Sequence, residues 1–163
     1  MKYLQGDLIW VKPKGWLFNI VRKFTKGNYG HIGIVAGYCQ DHVIIVEAGM
    51  SGTDVNDLKW RTISKEDYGV YRINDIADEK REELVSLCLD KVGCPYDFSA
   101  WKNFIISSTI FGKDKQMYCS ELIYRALKES GITDVLYNPE KVSPADVFRL
   151  LEKRMTLIDE VKF

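Results

Sequence analysis

The sequence lacks net charge, long apolar runs and all but two histidines, and each shortage excludes a class of protein. Its 23 basic and 23 acidic residues cancel, so overall charge gives no reason to expect a nucleic-acid partner. The longest strongly apolar stretch, 104–111, falls far short of the roughly 20 residues that span a bilayer. The four cysteines show neither CxxC nor the Cys/His spacing of structural zinc.

The N-terminal residues 1–7 contain no apolar region of the kind found in secretory signals. We therefore predict a cytoplasmic protein with all four cysteines reduced. The hydrophobic content of 46% and charged content of 28% are typical of a folded protein. A chain of 163 residues fits one core, so 1–163 is predicted to be a single domain.

Apolar patterning predicts short strands in the first half of the chain and helices in the second. The predicted strands are Leu8–Val11, His31–Ala36, His42–Glu47 and Val70–Ile73, with a Gly- and Asp-rich loop at 49–57. The predicted helices cover 76–92, 99–111, the segment from Cys119 to Gly131, and a last helix capped by Ser143 and begun by Pro144. The strands 31–36 and 42–47 are apolar on both faces, which indicates a sheet covered on both sides.

The segment 12–26 carries five basic residues and no acidic residue. Within it, Leu17, Ile20, Val21 and Phe24 have the spacing of an amphipathic helix. Two interpretations remain open: a weak contact with an anionic membrane or cell-wall polymer, and a surface helix whose apolar face covers the sheet. We favour the second, because most such stripes are core faces.

Cys119 lies at the predicted start of a helix. The backbone N–H groups of a first turn have no partners within the helix, and with the helix dipole they stabilise a thiolate. Such positions lower the pKa of a thiol from about 8.5 to roughly 3.5–7.5. The apolar residues that follow at helical spacing are Leu122, Ile123, Ala126 and Leu127. They point the thiol toward the surface on which the helix packs.

The strands 31–36 and 42–47 are predicted to form a hairpin across the linker Gly37–Asp41. Pairing Ala36 with His42 puts His31 directly opposite Glu47, where the two side chains share a face of the sheet. The carboxylate could then orient the imidazole. If the Cys119 helix packs on that end of the sheet, a Cys–His–carboxylate triad results.

Simpler interpretations apply to the remaining cysteines and histidine. A buried cysteine is most often a small apolar residue, so Cys88 is assigned to the core, and Cys39 and Cys94 are given no role. His42 falls on the opposite face from Glu47 and is treated as structural. A metal held by His31, Glu47 and Cys119 is disfavoured, since nothing else supplies further ligands or orienting hydrogen bonds. We predict no metal and no cofactor.

Five short segments occur in an order that resembles a known family. They are Gly6–Ile9, His31–Val35, Val46–Ala48, Gly93–Asp97 and Tyr118–Leu122. Together they resemble the YiiX-like branch of the NlpC-type papain-fold cysteine peptidases, over residues 6 to about 148. That branch is circularly permuted, with the histidine and its polar partner preceding the cysteine. The lecithin:retinol acyltransferase group is similar in this respect.

The resemblance implies an α+β fold with a central antiparallel sheet and the cysteine helix packed against it. It also implies Cys119 as nucleophile, His31 as base and Glu47 as the third polar member. Tyr96, Tyr118 and Ser120 are predicted to contact the substrate.

The resulting prediction is a cysteine amidohydrolase or peptidase that acts on a peptide, amide or acyl substrate through a thioester. A membrane-associated thiol acyltransferase or lipid-acyl hydrolase is the alternative within enzymes. A ligand-binding domain of the same fold without turnover is the alternative outside them.

Overall fold

The computed structural model describes residues 2–14, 27–96 and 117–163. The strands are β1 Leu8–Lys12, β2 His31–Cys39, β3 His42–Gly49, β4 Gly52–Asp57, β5 Asp67–Ile73 and β6 Met155–Val161. The helices are α1 Lys59–Ile63, α2 Asp78–Leu89, α3 Cys119–Glu129 and α4 Pro144–Leu151, with 3-10 turns at Pro139–Lys141 and Glu152–Arg154. Within the described residues these strands form one antiparallel sheet in the spatial order β4-β3-β2-β1-β5-β6.

Most predicted elements are confirmed within a few residues, and the central antiparallel sheet with packed helices is the predicted α+β architecture. The prediction of a loop at 49–57 is wrong, because Gly52–Asp57 forms β4 against β3. Residues 155–161, left unassigned by the sequence patterns, form the edge strand β6. Glycine and aspartate have low strand propensity, so this segment forms a strand because it pairs with β3. The predicted helix at 99–111 and most of the basic stretch 12–26 lie outside the described residues.

Two apolar clusters cover the two faces of the sheet. The larger cluster joins alternate strand residues such as Ile32 and Val46 to Leu122 and Ile123 of α3. The smaller cluster contains the residues between them, including Val35 and Ile45, together with Leu58 and Tyr68. Because strand side chains alternate between faces, the sheet is buried on both sides, as its apolar sequence predicts.

A buried ion pair fixes the chain before β1. Asp7 is fully buried, and its two carboxylate oxygens accept hydrogen bonds of 2.9 and 2.7 Å from Arg72 of β5. The main chain at Asp7 also bonds to Val35 of β2. A buried carboxylate needs such a partner, so Asp7 has a structural role beside the middle of β2.

The segment after α2 is attached to the edge strand β4 through two main-chain hydrogen bonds. Thr53 N–H donates to the Cys94 carbonyl and Gly93 N–H donates to the Thr53 carbonyl, each at 2.8 Å. At Gly52 a Cβ would lie 2.7 Å from the Cys94 carbonyl oxygen, so this close approach requires glycine. The segment then reaches Tyr96, which pairs with Met117 just before α3.

No helix in the described ranges combines the length and apolarity needed to cross a membrane.

Candidate active site

His31 and Glu47 are in direct contact, although not through the predicted register. The ring Nε2 of His31 lies 2.7 Å from Oε2 of Glu47, and the two residues are only 7% and 6% exposed. Gly33, rather than His31, is the residue opposite Glu47. His31 lies two residues before Gly33 in β2, so His31 and Glu47 form a diagonal pair on the same face of the sheet.

A β-bulge explains why the two residues share a face. The hairpin turn is Gln40–Asp41, and Cys39 pairs with His42, so both strands run further than the sequence patterns predict. That register, continued without interruption, would put His31 on the face opposite Glu47. The irregularity between Val35 and Gly37 takes up one extra residue and restores the common face.

Because Gly33 has no side chain, the Glu47 side chain can pass over it and contact His31. A Cβ at Gly33 would lie 3.2 Å from Cβ of Glu47 and 3.5 Å from its Oε2. The absent side chain therefore lets the carboxylate lean across the strand to the imidazole.

Cys119 is the first residue of α3 and is 5% exposed. Its thiol interacts with His31, and each of the two groups shifts the pKa of the other. Because Nε2 of His31 faces Glu47, Nδ1 is the ring nitrogen left for the thiol. Cys119 belongs to the apolar cluster on the α3 side of the sheet. His31 is the first residue of β2, as Cys119 is of α3.

Cys119, His31 and Glu47 shift one another's pKa values toward the charged forms. Burial disfavours the thiolate, but the charge of His31 and hydrogen bonds from the backbone of Ile32 and Ser120 outweigh it and lower the pKa of Cys119. Burial also opposes the imidazolium, yet Cys119 and Glu47 together raise the pKa of His31 to about 9. Burial of Glu47 is likewise outweighed by His31 and Arg61, which lower its pKa to about 2. The arrangement favours a thiolate–imidazolium pair beside a permanent carboxylate.

Two further residues complete the surroundings of Glu47, and neither is found by sequence reasoning. Nη2 of Arg61 in α1 bonds to Oε2 of Glu47, and Nδ2 of Asn56 in β4 donates to Oε1 at 3.2 Å. Asn56 was hidden by the interpretation of 49–57 as a loop. No spacing in the sequence points to Arg61, since α1 is short and none of its residues is buried.

The three residues predicted to contact substrate lie close to Cys119 in the chain or in space. Tyr118 is 2% exposed and its hydroxyl donates to the Pro139 carbonyl at 2.9 Å. Ser120 is fully buried and its hydroxyl donates to the Val142 carbonyl at 2.8 Å. Tyr96 pairs with Met117. Substrate binding by these three stays a prediction.

The other cysteines and His42 lie away from this group. Cys88 is buried in the large apolar cluster, where burial raises its pKa to about 12, while Cys39 is exposed and Cys94 half-buried. His42 pairs with Asp57 at 2.5 Å on an exposed surface. In the ranges 2–14, 27–96 and 117–163, no group of three or more His, Cys, Asp or Glu side chains is arranged to hold a metal ion.

Comparison with known proteins shows a family for the chain and a solved structure with a similar fold. A family model described as permuted papain-like amidase enzyme, YaeF/YiiX, C92 family, matches residues 2–143. A similar solved structure is that of "metalloprotein yiiX" from Escherichia coli O157:H7, at 20% sequence identity, with both chains covered over 100% of their length and a TM-score of 0.75. At that identity the likeness shows the fold alone. A search of curated proteins gives no match.

Proposed function

Because the chain belongs to the YaeF/YiiX family of permuted papain-like amidases, we propose that it cleaves peptide or amide bonds with Cys119 as nucleophile, His31 as base and Glu47 as orienter. The family is a family of enzymes, so the proposal concerns which residues act and how. One observation carries it. His31 is hydrogen-bonded to Glu47 at 2.7 Å, and His31 and Cys119 stabilise each other's charged forms.

In the first step the Cys119 thiolate forms a bond to the substrate carbonyl carbon, and the carbonyl oxygen becomes an oxyanion. The start of α3 supports this step, because Tyr118 at the helix N-cap makes no side-chain capping bond. Main-chain N–H groups at a helix start favour negative charge, and that of Ser120 already contributes to the lowered pKa of the Cys119 thiol. His31 then gives its proton to the leaving nitrogen, the C–N bond breaks, and a thioester remains.

In the second step neutral His31 takes a proton from water, and the resulting hydroxide attacks the thioester carbon. The C–S bond breaks, the thiolate is regenerated beside the imidazolium, and the acid product leaves. Glu47 bonds to the second ring nitrogen throughout, which fixes the orientation of the ring. The same thioester could pass to another acceptor, but hydrolysis is the chemistry that an amidase family favours.

Alkylation with iodoacetamide near pH 6, mapped by mass spectrometry, tests the proposed nucleophile. We expect Cys119 to react faster than Cys39 and Cys94, although both are more exposed, because His31 and two backbone donors lower the pKa of the Cys119 thiol. His31→Ala should abolish the difference. Thiolate absorbance near 240 nm, compared between wild type and Cys119→Ser, gives a second readout that needs no access for the reagent.

Two results would contradict the proposal. One is a Cys119 that reacts no faster than the exposed cysteines and shows no thiolate absorbance below pH 7. The other is a His31→Ala protein that folds and alkylates as the wild type does.

A further inference from the structure

We propose that Arg61 is a positioning residue that keeps Glu47 an ionised carboxylate in both protonation states of His31. This inference rests on the proposed function, because it concerns how the base of that reaction is controlled. It adds a fourth member, on a different element, to the Cys119–His31–Glu47 group.

The contacts of Arg61 join it to two carboxylates. Its Nη2 bonds to Oε2 of Glu47, the same oxygen that faces His31. Its Nη1 donates to Oε2 of Glu66 at 2.7 Å. The side chains of Arg61, Glu47 and Glu66 are 18%, 7% and 14% exposed, so solvent screens the interaction with Glu47 only weakly.

The need for Arg61 follows from the proton movements of the reaction. While His31 is an imidazolium, Glu47 has a cation on its Oε2. Once His31 has protonated the leaving group, that cation is gone, and a buried carboxylate without a positive partner tends to take up a proton. Arg61 cannot lose its own proton at any relevant pH. It therefore supplies a positive charge to Glu47 at every stage of the cycle.

Arg61 also limits how strongly His31 holds its proton. Within the described residues, the charged groups that face His31 are Cys119 from α3 and Glu47 from β3. Arg61 acts on His31 indirectly, because it bonds to Glu47, and it also bonds to Glu66. Asn56 donates an uncharged hydrogen bond to Glu47. A guanidinium that shares the carboxylate oxygen weakens the pull of Glu47 on the imidazolium. His31 can then give the proton to a leaving group.

Arg61→Gln tests this charge effect through pH dependence. Loss of one positive charge makes the thiolate harder to form and the imidazolium harder to deprotonate. Two midpoints are measured: the pH at which Cys119 alkylation first increases, and the pH at which the His31 ring titrates by NMR. We expect both midpoints to move up by about one pH unit. Arg61→Lys should return both midpoints most of the way to wild type.

Two more variants separate charge from structure. Glu66→Gln removes the negative charge behind Arg61, so both midpoints should shift slightly downward, opposite to Arg61→Gln. Arg72→Gln breaks a comparable pair with buried Asp7 near Val35, away from His31. It should lower thermal stability and leave both midpoints unchanged. Glu66→Gln keeps the test usable if Arg61→Gln does not fold.

The outcomes distinguish this inference from the proposed function. If wild-type Cys119 shows no thiolate below pH 7, the proposed function fails. If wild type shows it and folded Arg61→Gln titrates as wild type does, only the role of Arg61 is overturned. A lysine variant with the same midpoints as the glutamine variant would also overturn it, because the positive charge would then be irrelevant.

Discussion

At the residue scale, two buried cysteines of this chain have opposite acidities for identifiable reasons. Cys88 and Cys119 are 0% and 5% exposed. Burial raises the pKa of the first to about 12, whereas for the second His31 and two backbone donors outweigh burial and lower the pKa. Residue type and burial therefore do not identify a nucleophile. The neighbouring charge does, and it depends on where Glu47 is held.

Gly33→Ala tests how closely Glu47 must approach His31. The new Cβ would lie 3.2 Å from both Cβ of Glu47 and the Val46 carbonyl oxygen, so Glu47 must shift away from its position opposite Gly33. We expect roughly tenfold slower alkylation of Cys119 near pH 6, since a displaced Glu47 no longer holds the His31 ring in position beside the thiol.

Gly49→Ala is the matched control, because Gly49 lies in the adjacent strand β3 and a Cβ there meets nothing within 4 Å. It should alkylate at the wild-type rate. Equal rates for wild type and folded Gly33→Ala would show that the close approach of Glu47 is unimportant.

At the element scale, the two helices α3 and α4 differ in how their first turns are capped. In α4, Ser143 and Asp146 form a reciprocal capping box that satisfies the free N–H groups. In α3 the N-cap Tyr118 makes no such side-chain bond. The capping box stabilises the start of α4, whereas at the start of α3 the backbone of Ser120 helps to lower the pKa of the Cys119 thiol.

Ser143→Ala tests the structural half of this contrast. Removing the cap should lower the free energy of unfolding by about 1 kcal/mol, within a usual range of about 0.5–2 kcal/mol, as measured by urea denaturation. The alkylation of Cys119 near pH 6 should not change, because Ser143 belongs to a different helix start. A change in its pH midpoint would mean that α4 controls the active site as well.

The hairpin shows which part of the site the sequence can predict. Alternation of side chains was enough to group His31 with Glu47 and to separate His42 from them. The register was wrong, because Gly33 faces Glu47, and the grouping holds only through the bulge beside Ala36. The position of a bulge depends on the pairing of a strand with all its neighbours, and β2 pairs with both β1 and β3. Local spacing does not contain that information.

At the scale of the whole molecule, the site is assembled from elements distant in sequence. β2, β3, β4, α1 and α3 each supply one member, namely His31, Glu47, Asn56, Arg61 and Cys119. Resemblance and local pattern identified three of these, since each lies in a recognisable segment. Asn56 and Arg61 depend on how β4 and α1 fold over β3, which only the tertiary structure reveals.

The ionisation of Glu47 links this site to the stability of the whole fold. Its pKa is lowered from 4.5 to about 2, so its contribution is fully present above pH 4.5 and is lost as pH falls through about 2. The shift corresponds to about 3 kcal/mol. We expect Glu47→Gln to be less stable than wild type near pH 7, with the difference shrinking between pH 4.5 and 2.

Urea denaturation of both proteins at several pH values measures this difference. Wild type and Glu47→Gln should approach the same stability at the acid end. A difference that stays constant from pH 7 to pH 2 would mean that the ionisation of Glu47 contributes nothing to the fold.

The meeting of Cys119 with His31 also makes the thiol a reporter of its own folding. In the unfolded chain Cys119 is an ordinary thiol with a pKa of about 8.5, and it gains acidity only when α3 packs beside the start of β2. During synthesis the hairpin that carries His31 and Glu47 leaves the ribosome before Cys119 does. The thiol therefore gains its acidity only after α3 has packed on the sheet, so its reactivity at acid pH is a measure of native molecules.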